Sequence, residues 1–219
     1  MTGSRGHADE LGPTPPAAHR VFGDRVNLAE AYARSLASDG IERGLIGPRE
    51  VPRIWERHVL NSAAVEVAIP RDVRVVDIGS GAGLPGIPLA IARPDLSVQL
   101  LEPLLRRTVY LEEIVRELGL NCSVHRGRAE DPKVVNELGG ADVATSRAVA
   151  PLGKLTTWSL PLVRVGGSMV ALKGSSIAEE IVRDAKQIEK VGGGQPRTLL
   201  VGSELLDEPT HVVCIERLK

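Results

Sequence analysis

Residues 75–88, Val75-Val76-Asp77-Ile78-Gly79-Ser80-Gly81-Ala82-Gly83-Leu84-Pro85-Gly86-Ile87-Pro88, constrain this chain more than any other stretch. A buried strand runs into three alternate glycines and then into a helix opened by a proline. Glycine lets the backbone turn sharply and approach a ligand closely, and Pro85 suits a first helical turn, where its missing N–H costs nothing. The unit is repeated in kind downstream. From Val73 onward, short β-branched runs (VRVVDI, SVQLLE, CSVHR, ADVATS, GSMVALK, TLLVG, THVVCIER) alternate with helical stretches near 86–92, 104–118, 132–138, 152–163 and 176–190.

Strand–helix alternation implies an α/β fold, a Rossmann-like, doubly wound, mostly parallel sheet with helices on both faces. The last two strands are separated only by the turn-rich SELLDEP, which predicts a hairpin and one antiparallel strand at the C-terminal end. Ahead of the sheet, Val26, Ala29, Ala33 and Leu36 recur at helical spacing. A second helix is expected near Pro48 and Pro52, carrying Ile54, Val59, Ala63 and Val67. The expected organisation is a disordered leader over 1–20, a helical cap over 21–70 and a ligand-binding domain over 71–219.

Composition excludes several classes. No apolar run approaches the roughly 18 residues a membrane helix needs, and the N-terminus lacks a charged-then-apolar signal peptide, so a cytoplasmic protein is expected. The two cysteines, Cys122 and Cys214, make neither a disulfide framework nor a four-ligand zinc site, and no metal is indicated. A net charge of −1 argues against a surface coated with bases for nucleic acid. Arginine nonetheless outnumbers lysine 21 to 6, an excess for which GC-rich coding is a sufficient cause. The aromatic residues, Phe22, Tyr32, Trp55, Tyr110 and Trp158, are too few for a broad base-stacking platform.

Two ligands compete for the glycine loop. Gly81-Ala-Gly83-Leu-Pro-Gly86 matches the G-x-G-x-x-G of dinucleotide sites, whose helix N-terminus faces a pyrophosphate. In register with the strand end, however, the loop reads D-x-G-x-G-x-G, with Asp77 two residues before Gly79, Gly81 and Gly83. That form is usual for S-adenosylmethionine. Glu102 ends the next strand, 25 residues after Asp77, where such sites place a carboxylate on ribose hydroxyls. The third βα loop, Gly127-Arg128-Ala129-Glu130, falls at the same sheet edge, where an adenine can meet the Ala129 and Glu130 backbone.

In these stretches the chain resembles the class I S-adenosylmethionine-dependent methyltransferases, and more closely the GidB/RsmG family, which methylates guanine N7 of small-subunit ribosomal RNA. The resemblance covers about residues 50–219. It rests on Arg57-His58-Val59-Leu60-Asn61-Ser62, DIGSGAGLPGIPLA at 77–90, SRAVA at 146–150, ALKG at 171–174 and HVVCIER at 211–217. The family usually has Asp where this chain has Asn61, so no carboxylate role is assigned there. The resemblance implies cofactor contacts at Gly79, Leu84, Ala129, Glu130 and Arg147, and a 16S rRNA or small-subunit partner. Arg147 and Lys173, at the ends of the fourth and fifth strands, are the candidate catalytic residues.

The fourth strand ends in Thr145-Ser146-Arg147-Ala148, without the N/D-P-P-Y/F element of amino-group methyltransferases, and both cysteines read as small buried hydrophobes. Guanine N7 suits a site lacking both features, because its lone pair carries no proton and alignment does most of the work. Candidate RNA contacts are Arg53, Arg57, His58, Arg106, Arg107, Arg126 and Arg128. Three competing readings stand beside this one. A small-molecule methyltransferase predicts a deep apolar pocket closed by residues 21–68, whereas the RNA reading predicts an open mouth rimmed by arginines. A nicotinamide-dependent oxidoreductase rests on the literal glycine match alone. A noncatalytic rRNA-binding assembly factor needs none of Gly79–Gly83, Glu102 or Arg147.

Overall fold

The computed structural model describes residues 9–219. Strands β1 (Arg74–Ile78), β2 (Ser97–Glu102), β3 (Cys122–Arg126), β4 (Ala141–Arg147), β5 (Val163–Lys173), β6 (Arg197–Val201) and β7 (Thr210–Glu216) form one seven-stranded sheet in the order β3-β2-β1-β4-β5-β7-β6. β7 is antiparallel to both of its neighbours, β5 and β6, and the other pairs are parallel. The helices that pack on it are α1 (Pro16–Phe22), α2 (Val26–Ala37), α3 (Gly86–Ala92), α4 (Leu105–Leu118), α5 (Pro132–Leu138), α6 (Leu152–Ser159) and α7 (Ile177–Lys190). The chain leaves β1 in one direction to β2 and returns to its other side as β4. That reversal opens a crevice at the carboxyl ends of β1 and β4, where open α/β sheets bind ligands.

Side chains alternate across the sheet with the two-residue period of a strand. Val75, Val98, Leu100, Val143, Val170 and Leu172 face a cluster built with α1, α2, α3 and α4, while Val76, Ile78, Leu101 and Ala144 pack beneath α5. Met169, Ala171, Val213 and Ile215 pack beneath α6 and α7. The first cluster takes in Ala18, Phe22, Tyr32 and Ile54 together with Val201, Leu206, Val212 and Cys214, so the N-terminal helices share one core with the C-terminal strands. Arg20 Nη2 donates to the Glu204 carbonyl at 2.8 Å, and the Asp207 N–H donates to Glu56 Oε1 at 3.1 Å.

The expected disordered leader is corrected over residues 9–20. Extended Pro15 and Pro16 at the first helical position start α1, and Ala18 and Phe22, four residues apart on one helix face, are buried. Leu11 is buried with them. Residues 1–8 of that expectation lie outside the described residues. The second N-terminal helix is also not a plain α-helix. A 3-10 stretch, Pro48–Arg53, runs into a π-helical stretch, Ile54–Leu60, then Asn61–Ala63 and a 3-10 stretch, Ala64–Ala68. Changing the residues per turn breaks the 3.6 periodicity, so Ile54, Val59 and Ala63 are buried while Val67 is 73% exposed. No helix among the described residues is long and apolar enough to cross a membrane.

Candidate active site

The glycine loop is held from below. Asp77, fully buried, accepts the Ser80 hydroxyl at 2.6 Å and the Gly86 N–H at 3.0 Å through Oδ2. A Cβ on Gly86 would overlap Leu100, so only glycine lets α3 start this close to Asp77. Burial pushes the Asp77 pKa up to about 7, against the pull of its Ser80 and Gly86 hydrogen bonds. From the side, Gly79 N–H and Ser80 N–H donate to the Leu101 carbonyl, and Gly81 N–H donates to Glu102 Oε2 at 3.0 Å. From above, the Tyr32 hydroxyl of α2 donates to the Ala82 carbonyl at 2.7 Å.

These bonds decide between the two glycine-loop readings. A pyrophosphate needs free N–H groups at the helix N-terminus. Here the first of them, on Gly86, belongs to a protein carboxylate, and Ile87 N–H bonds the Gly83 carbonyl. The dinucleotide reading has no anion site left at α3.

Above the loop lies a cavity of about 620 Å³ lined by Leu45, Ile46, Glu50, His58, Gly79–Ala82, Leu84, Glu102–Leu104, Arg107 and Arg147–Val149. Glu102 is 1% exposed; its Oε1 takes the Leu104 N–H at 3.0 Å, and Arg107 Nη1 stands 3.7 Å from Oε2. Gly79 (φ 67°) faces the cavity, and a Cβ there would lie 3.0 Å from Val149 Cγ2.

A second cavity, of about 520 Å³, is lined by Arg53, Glu56, Arg57, Asn61, Arg147, Ala148, Leu172–Gly174, Glu180 and Glu208–Thr210. Its charged rim, arginines among glutamates, is what the RNA reading expects; it is not the closed apolar pocket of a small-molecule enzyme. Arg147 and Ala148, at the end of β4, line both cavities.

Arg147 is fixed rather than free. Its Nη1 donates to the Arg57 carbonyl at 2.9 Å and to Ser62 Oγ at 3.2 Å, and its Nη2 donates to His58 Nδ1. The ring continues the chain, because His58 Nε2–H donates to Glu50 Oε2 at 2.9 Å. Burial, then the adjacent Arg147 charge, pushes the His58 pKa down to about 4. The imidazole is therefore neutral near pH 7, and its two bonds define the tautomer: Nδ1 accepts and Nε2 donates. His58 is thus a buried link in this chain, 8% exposed.

Lys173 is likewise held. Its ammonium contacts Glu180 Oε2 at 2.7 Å and donates to the Ala150 carbonyl at 3.2 Å, and the same Oε2 takes the Leu152 N–H at 2.8 Å. Burial raises the Glu180 carboxyl, but the Lys173 and Leu152 hydrogen bonds outweigh it and leave the pKa below the usual carboxylate value.

Of the residues expected at a cofactor site, Gly79, Gly81, Leu84, Glu102 and Arg147 line the upper cavity. Asp77 lies beneath the loop as its staple, and Gly83, in the loop itself, faces Ile87 and Tyr32 rather than the cavity. Ala129 is buried against the α5 cluster and Glu130 pairs loosely with Arg128 at 3.9 Å; neither lines the cavity. Arg53 and Arg57 line the lower cavity together, and Arg57 Nη1 also bonds Glu50 Oε1. Arg107 faces Glu102 in the upper cavity, whereas Arg106, Arg126 and Arg128 line neither. Sequence reading passed over Tyr32, Glu50, Ser62 and Glu180. The alternation of glutamate and arginine around 50–57 was the available signal for Glu50; nothing in the sequence ties Glu180 to Lys173.

Solved structures show the same fold. Fibrillarin of Aeropyrum pernix, described with natively bound S-adenosyl-L-methionine, superposes with a TM-score of 0.54 at 19% identity, over 71% of this chain and 76% of that one. A tRNA (m1A58) methyltransferase of Aquifex aeolicus gives a TM-score of 0.54 at 14% identity, over 73% of this chain and 69% of that one. The fold is that of known methyltransferases.

Sequence similarity is more specific. A ribosomal RNA small subunit methyltransferase G of Corynebacterium jeikeium is 68% identical over 210 residues, which cover 96% of this chain and 95% of that one. The protein of the same name from Rhodococcus jostii is 62% identical over 202 residues, covering 92% and 89%. Residues 25–204 match the family model GidB, rRNA small subunit methyltransferase G, and the chain belongs to that family.

Proposed function

We propose that this protein transfers the methyl group of S-adenosyl-L-methionine to N7 of a guanine in 16S rRNA of the small ribosomal subunit. The observation that carries this reading is the meeting of two unlike cavities at Arg147 and Ala148. The upper one has features that suit an adenosylated amino acid: a buried carboxylate, Glu102, for ribose hydroxyls, and half-buried loop backbone at Gly79 and Gly81 along its wall. Its about 620 Å³ falls within the roughly 300–1,000 Å³ of small-molecule sites. The lower one offers Arg53, Arg57 and Lys173 to a nucleotide and its phosphates.

When bound, S-adenosyl-L-methionine supplies a methyl group on a positive sulfur. The chain's own residues then have one main task, alignment, because guanine N7 carries no proton and needs no general base. Arg147, pinned by Arg57, Ser62 and His58, fixes the wall between donor and acceptor. Lys173 meets the base as half of an ion pair, so its charge is balanced where the methylated ring becomes positive. This reading extends to a cytoplasmic location, where small subunits are.

The test is to incubate the protein and labelled cofactor with undermodified small subunits and map the labelled nucleotide by mass spectrometry. Label at a guanine N7 is expected; label on an amine, a ribose or a protein overturns the assignment. The cofactor half has its own check. Gly79→Val adds a branched side chain at a left-handed position already touching Val149, a strain of order 1–3 kcal/mol that also fills the cavity. Calorimetry should show S-adenosylhomocysteine binding weakened by at least about tenfold. Wild-type affinity in a folded variant would mean that the ligand sits elsewhere.

A further inference from the structure

The Lys173–Glu180 pair holds two atoms in reserve. An ammonium has three N–H donors, and Lys173 uses them on Glu180 Oε2 and the Ala150 carbonyl, leaving one. Glu180 Oε2 takes Lys173 and the Leu152 N–H, while Oε1 has no hydrogen-bond partner among the described residues. Both side chains are nearly buried, 10% and 13% exposed, and both line the lower cavity. The cavity wall therefore presents one cationic donor beside one anionic acceptor, at fixed separation.

Of guanine and adenine, only guanine carries the complement of that pattern. Guanine has an acceptor at O6 next to a donor at N1–H; adenine has a donor at the 6-amino group next to an acceptor at N1. We propose that the Lys173–Glu180 ion pair selects guanine by this edge, with Lys173 donating to O6 and Glu180 Oε1 accepting from N1–H. This rests on the guanine-N7 reading above and names the group that enforces it. N7 lies on the far side of O6 from N1, so a base held this way keeps N7 clear of the pair. Adenine would set donor against donor and carboxylate against lone pair, a mismatch of the kind that gives the largest discrimination between substrates. Glu180 would then be a specificity-determining residue that no charge count or glycine motif reveals.

The experiment uses small subunits reconstituted with guanosine, inosine or 2-aminopurine at the target nucleotide, with the wild-type chain and Glu180→Gln. Inosine keeps O6 and N1–H; 2-aminopurine has neither and offers a lone pair at N1. The wild type should accept inosine within about tenfold of guanosine and reject 2-aminopurine by at least about 100-fold in kcat/KM. Glu180→Gln can donate its amide to that lone pair, so the guanosine-to-2-aminopurine ratio should fall by at least about tenfold. Its affinity for S-adenosylhomocysteine, bound in the other cavity, should stay near wild type. A variant that slows both substrates equally reveals only the structural Leu152 contact and overturns the proposal. If the variant does not fold, the wild type decides: comparable rates on guanosine and 2-aminopurine overturn it. Label on guanosine away from N7 would overturn the underlying reading and this one with it, whereas label at N7 with an unchanged ratio overturns this one alone.

Discussion

Arg147→Ala is expected to lower methyl transfer by about 100- to 1,000-fold, the scale of losing alignment at a reacting centre. The guanidinium ties the end of β4 to the Arg57 carbonyl, Ser62 Oγ and His58 Nδ1. Removing it releases the 57–62 segment, leaves the His58 ring nitrogen without its donor and merges two cavities that share this wall. Arg147→Lys should recover little, because a lysine cannot span a carbonyl, a hydroxyl and an imidazole with one planar fork. Single-turnover rates and S-adenosylhomocysteine affinity, measured together, separate the effects: the rate should fall much further than the affinity. A Lys variant at wild-type rate would show that charge alone, without the fork, suffices.

The second large effect concerns pH, and it is concealed in the wild type. Asp77 has a folded-state pKa of about 7 against 3.8 in an open chain, so its contribution to stability is full below 3.8 and is lost as pH rises through 7. Between pH 5 and 8 that loss is about 2–3 kcal/mol. His58 behaves oppositely. Its folded-state value of about 4 lies below 6.5, so its contribution is full above 6.5 and is lost as pH falls toward 4, by about 2 kcal/mol between pH 8 and 5. The two slopes nearly cancel. Denaturant titrations should give a flat profile for the wild type, acid-sensitive stability for Asp77→Asn and alkali-sensitive stability for His58→Gln. Parallel profiles for all three chains would contradict both assignments.

The elements that carry local signals were legible in the sequence. Helices α3 and α5 occupy the expected 86–92 and 132–138, and the C-terminal hairpin supplies the antiparallel strand. What was not legible depends on distant partners. Pro15, Pro16 and Ala17 read as leader because the surface that buries Ala18 and Phe22 is made by residues far along the chain. The π-helical turn at 54–60 has no local propensity signature. At the site, Gly79 and Glu102 were readable because a strand end fixes where a residue goes. Where the Ala129 side chain goes was not, because a loop can turn it into the α5 cluster while its backbone stays at the sheet edge. Nothing in the sequence sets Arg107 opposite Glu102, and Glu50 and Glu180 are ordinary helical or loop glutamates until their partners are known.

The hydrogen bond between Arg20 and Glu204, and the core cluster that joins α1 and α2 to β6 and β7, bear on how the chain can be made. During synthesis the N-terminal helices emerge first and pack on one another and on α3 and α4, while Arg20 and Glu56 gain their partners only when residues 204–207 follow. Contacts of such long sequence separation form late and slow folding. The rim of the lower cavity closes last of all, because Glu56 and Arg57 meet Glu208–Thr210 there. A nascent or truncated chain lacking the final hairpin would thus expose an apolar face and leave the lower cavity open on the side of Glu208–Thr210. The lower cavity is complete only once the last strand is in place.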